Sequence, residues 1–75
     1  MIRPDEIQAA LAAAFPDAKI HVADTTGGGD HFEVRVVARQ FAGQGPVDQH
    51  RMIYGALGGL MPRIHALQIH TDVPA

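Results

Sequence analysis

Five histidines stand out in a chain of 75 residues that contains no cysteine. His21, His31, His50, His65 and His70 are the side chains with metal-ligating or acid–base capacity near neutral pH. The sequence also lacks serine, asparagine and tryptophan, so Ser or Cys nucleophilic catalysis is excluded and only Thr25, Thr26 and Thr71 carry aliphatic hydroxyls. Asp30 beside His31 could form an acid–base pair, but no nucleophile, oxyanion motif or phosphate loop accompanies it, so the expectation is a protein that is not an enzyme. The Gly27-Gly28-Gly29 run lacks the Gly-Lys-Ser/Thr ending of a P-loop and reads as a hairpin turn. Four ligands at short paired spacings, as a structural zinc site needs, are missing as well.

Composition bounds what these histidines can serve. The length suits one domain spanning residues 1–75, with a small core. A formal net charge of −2 with a single lysine, Lys19, provides no broad basic field for a polyanion. No apolar run approaches a membrane span and no basic segment followed by an apolar one opens the chain, so neither a membrane anchor nor a secretory signal is expected. Cytoplasmic residence is the default expectation.

The elements that must position the histidines follow from periodicity. Ile7, Ala10, Leu11, Ala14 and Phe15 form the apolar face of a helix over residues 4–15, with Pro4 at its first position and Asp5 and Glu6 at its positive end. Alternation predicts strands over 19–23, 31–38 and 66–71. A second helix begins near Pro46, with Val47, Ile53, Tyr54, Leu57, Leu60 and Met61 as its apolar stripe and Met52, Tyr54 and Leu57 as core. Gly55, Gly58 and Gly59 each weaken it by about 1 kcal/mol, implying close packing or a break into two pieces.

The order is α-β-β-α(α)-β: a two-layer α+β fold with a three-stranded mixed sheet and helices on one face. The first two strands form an antiparallel hairpin, and the third runs parallel to the second after a helical crossover. His31 and His65 then lie at the same end of the sheet, beside the glycine loop. Their parity differs: His65 shares the core side with Leu67 and Ile69, whereas His31 shares the open face with Glu33 and Arg35. The rings meet only if a strand end or the loop twists. His21 and His70 are expected to face each other across the open side, and His50 to take a structural or exposed role.

Several segments resemble one family. His50-Arg51-Met52-Ile53-Tyr54 and Ile64-His65-Ala66-Leu67, with His31-Phe32-Glu33-Val34, Phe41-Ala42-Gly43 and Ile69-His70-Thr71, are similar in order and spacing to the BolA family. The resemblance implies a class II KH-like fold and an adaptor in iron–sulfur trafficking that pairs with a monothiol glutaredoxin. It also implies His65 as ligand of a shared [2Fe-2S] cluster, with glutathione supplied by the partner. A second ligand from the loop between the first two strands, His or Cys, belongs to the same pattern. Here Asp24–Asp30 contains neither, so that position falls to His31 or, less suitably, Asp30. Alone, the chain is expected to hold no cluster and to be a monomer or weak homodimer.

The same resemblance implies an alternative, a KH-like DNA-binding transcriptional regulator of stress and morphology genes. Gly55-Ala56-Leu57-Gly58 fits the letters of the KH GxxG loop, but no cation occupies its two middle positions.

Overall fold

The computed structural model describes residues 2–75. Helix α1 (Pro4–Ala14) is followed by strands β1 (Lys19–Asp24) and β2 (His31–Val37), then a short 3₁₀ turn at Arg39–Phe41. Helix α2 (Pro46–Leu57) runs directly into a 3₁₀ helix (Gly58–Arg63), and strand β3 (Ala66–Asp72) completes the fold. The sheet order is β1-β2-β3, with β2 antiparallel to β1 and parallel to β3. The expected architecture holds, with element ends shifted by about one residue.

Sequence chemistry explains the element ends. The Arg3 amide donates to Glu6 Oε2 at 2.8 Å, and Pro4 at the first helical position has no N–H to satisfy. Phe15 ends α1 instead of extending it, with its N–H on the Leu11 carbonyl. Gly58 ends α2 at φ +49°, a conformation that disfavours other residues, and the chain tightens into 3₁₀ geometry through Pro62. The second helix is therefore broken in two. The alternative, close packing around its glycines, is not what they do: where a Cβ would stand on Gly55 or Gly59, the space is open.

One apolar layer lies between sheet and helices. Ile7, Leu11 and Phe15 of the α1 segment, Phe32, Val34 and Val36 of β2, and Ile53 and Leu57 of α2 are buried together with Phe41. Phe15 and Phe41 pack at 5.1 Å between ring centres. The short 3₁₀ turn that drives Phe41 inward is absent from the sequence expectations. Two assignments within α2 need correcting. Val47 and Tyr54 are 66% and 45% exposed, so they belong to neither stripe nor core. They stand seven residues apart on one outer face, whereas Ile53 and Leu57, with partly buried Met52, Ala56 and Leu60, face the sheet. Ala14 of α1 is likewise exposed.

Phe41→Ala should remove about 3–5 kcal/mol, comparable with everything a core of this size supplies. Chemical denaturation followed by far-UV circular dichroism should show the variant largely unfolded at room temperature, while Tyr54→Ala stays near the parent.

Candidate functional site

The parallel pairing of β2 with β3 brings His31 opposite Ala66, so His65 precedes the ladder by one residue. It sits in a bend, outside the pleat. There the His65 and Ala66 amides both donate to the Asp30 carbonyl, at 2.8 and 3.1 Å. Strand parity does not govern a residue outside the pleat, and this resolves the conflict that the sequence posed. The His65 and His31 rings lie 5.0 Å apart between centres, tilted by 42°. His65 is exposed, contrary to the core-side position that its parity suggested, and His31 is partly buried. Among the described residues, no group of three or more His, Asp or Glu is arranged to hold a metal ion. Asp30, the poorer candidate, has its carboxylate 4.0 Å from His31 Nε2.

The glycine loop beside them is built by Asp24. Its Oδ1 accepts from the Thr26 and Gly27 amides at 3.3 and 2.8 Å, and its Oδ2 accepts from the Gly29 amide at 2.9 Å. A short carboxylate taking backbone N–H groups two to five residues on is the chemistry of an Asx turn, extended over a whole loop. Gly27 and Gly29 take φ +78° and +76°, which admits the tight reversal. The Gly29 carbonyl accepts from Ile2 N at 3.1 Å, and the His31 carbonyl accepts from both the amide and the hydroxyl of Thr25, at 3.0 and 3.2 Å. The backbone carrying His31 is thereby fixed from both sides. Asp24 is the site residue that sequence reasoning missed; its signal was an aspartate three residues before the first glycine of the run.

The other histidines separate from this pair. On the open face, His21 of β1 and His70 of β3 are both register partners of Arg35, so the guanidinium strand position lies between them and they do not face each other. His70 Nε2 lies 3.4 Å from Glu33, which also has Arg35 Nε at 3.6 Å. His50 is partly buried in α2. The GxxG letters sit at the end of that helix with Leu57 only 2% exposed, so the segment is not a projecting loop.

Comparison with known proteins gives the chain its family. The BolA-like protein family model matches residues 16–75, from the turn after α1 to the last residue. The chain belongs to the BolA-like family. The protein BOLA2 of Arabidopsis thaliana is 39% identical, over 92% of this chain and 75% of that protein. The DNA-binding transcriptional regulator BolA of Escherichia coli is 37% identical, over 95% of this chain and 74% of its own length. Among solved structures, the BolA domain of SufE1 from Arabidopsis thaliana superposes with a TM-score of 0.87 at 29% identity, covering 96% of this chain and 92% of that one. No helix among the described residues is long and apolar enough to cross a membrane.

Asp24→Ala should cost about 1–3 kcal/mol, because three amides lose a charged acceptor. Hydrogen exchange should accelerate at Gly27 and Gly29 before it does in the β2 core, a pattern that uniform destabilisation would not give.

Proposed function

We propose that this BolA-like chain is an adaptor that pairs with a monothiol glutaredoxin and helps bind or deliver a [2Fe-2S] cluster. One observation carries the reading: His65 and His31, distant in sequence, are brought within 5.0 Å at an exposed sheet end by a rigid backbone junction. The donor set fits such a cargo in part. Two imidazoles supply nitrogen ligands, and a chain without cysteine must receive thiolates from elsewhere, here from the glutaredoxin and the glutathione it supplies. Imidazole in place of thiolate leaves the bound group less negative and adds a ligand that protonation can release, which favours transfer over storage. His65 is the first ligand and His31 the second; Asp30 is better placed to face His31 than to replace it. The site asks for no catalysis, and the cytoplasm is the compartment where such a partner and its glutathione are at hand.

A second reading is DNA binding, favoured by the name of the Escherichia coli relative. Against it stand the buried Leu57 within the GxxG letters and the single lysine of an acidic chain.

Co-expression with a monothiol glutaredoxin should yield a complex whose visible absorption and circular dichroism differ from those of glutaredoxin alone. His65→Ala should return the spectrum to that of glutaredoxin alone, and His31→Ala should alter it separately. An unchanged spectrum in His65→Ala rules that residue out as ligand. For the second reading, a salt titration decides: the adaptor reading expects no measurable DNA affinity even at low ionic strength.

A further inference from the structure

We infer that the free edge of β3 takes up β3 of a second copy of this chain, antiparallel, so that two three-stranded sheets become one continuous sheet. Two bonds at the ends of the strand settle which way its backbone groups face. The Ala66 amide donates to the Asp30 carbonyl, and the Asp72 carbonyl accepts from the Ala38 amide, so both residues turn their polar groups toward β2. Successive residues of a strand face opposite sides in the plane of the sheet. Leu67, Ile69 and Thr71 therefore turn their N–H and C=O outward, where the sheet order leaves no further strand.

Those outward positions select a register. With Ile69 on a two-fold axis, it opposes its own equivalent, and Leu67 opposes Thr71 on either side; each of these pairs can exchange both N–H···O bonds. On the helix side, Leu67 and Ile69 are only partly buried within one copy, and the second copy completes their cover. On the open side Gln68 meets His70, a donor–acceptor pair, and Ala66 meets Asp72. No like charges face each other. The same count places Val73, 39% exposed, beside His65 of the second copy. The strand is complementary to itself read backwards, which points to a second copy and not to an unrelated strand.

This edge is also undefended. The seven residues of β3 include no lysine, arginine or proline, the residues that keep edge strands apart. The opposite edge differs. β1 opens with Lys19, and because the Thr25 amide bonds the His31 carbonyl, its outward positions are Ile20, Val22 and Asp24. Two-fold pairing there would set Asp24, already committed to the loop amides, against Ile20. A single strand pair buries less than the roughly 1,200 Å² of a standard interface, so the β3 dimer is weak and concentration-dependent.

The test uses the full chain without iron or glutaredoxin, so its outcome is separable from that of the cluster experiment. Sedimentation equilibrium from micromolar to millimolar protein should show a reversible doubling of mass. Over the same range, amide–water exchange measured by NMR should slow at Leu67, Ile69 and Thr71 by the ratio of total to monomeric chain, and stay constant at Ile20 and Val22. Ile69→Pro removes an outward N–H and no bond to β2, so it should leave the chain monomeric. The double variant Gln68→Lys with His70→Lys sets lysines opposite each other on the open side and leaves the helix side intact; it should also be monomeric, with its fold checked by circular dichroism. His21→Lys on β1 should leave the doubling unchanged. A chain that stays monomeric at millimolar concentration, a dimer whose Leu67, Ile69 and Thr71 amides exchange at the monomer rate, or a doubling that survives the double lysine variant would overturn the inference.

Discussion

The junction at Asp30 is the constraint on which the rest depends. One carbonyl accepts two consecutive amides, from His65 and Ala66, just where β3 joins the sheet. This sets the parallel register of β2 and β3 and turns His65 out of the pleat at the same moment. The core depends on it too, because the register decides that Leu67 and Ile69 lie beside Phe32 and Val34 on the helix side. A slip by one residue would exchange the two faces of β3 and bury Gln68 and His70 instead.

Around that junction the chain invests local chemistry, not bulk hydrophobicity. Asp24 organises the glycine loop, Ile2 ties the N-terminal segment to Gly29, and an ion pair at 3.7 Å between Glu6 and Arg63 links α1 to the segment entering His65. At the opposite end, the Thr71 hydroxyl bonds Gln49, joining the end of β3 to the first turns of α2. The surface pairs are worth little individually. Their value is positional: they keep two sheet ends in place around a small core.

Much of this was legible in the sequence. Period-two alternation places all three strands, and the order of elements fixes which ends coincide, so the location of His31 and His65 at one sheet end follows from topology. What escaped was local. Parity, extrapolated one residue past the strand start, put His65 on the core side, and only the bend corrects that. Val47 and Tyr54 read as part of the apolar stripe because hydrophobicity alone cannot separate two helix faces when glycines thin the pattern. Phe41 was missed as core because a three-residue 3₁₀ turn is too short to leave a period. Asp24 was missed because its role is addressed to backbone amides, which have no letter in the sequence.

The two imidazoles come from halves of the chain that meet only when β3 has docked. In the unfolded ensemble they are separate donors with no shared geometry. Any ligand that grips both therefore binds the native state and not the denatured one, and by mass action it raises the free energy of unfolding in proportion to the logarithm of its concentration over its dissociation constant. In a domain whose own core gives it a thin margin, a ligand of that kind would also be a clasp. The empty chain would be the form most open to proteolysis and turnover, and the loaded one the form that persists.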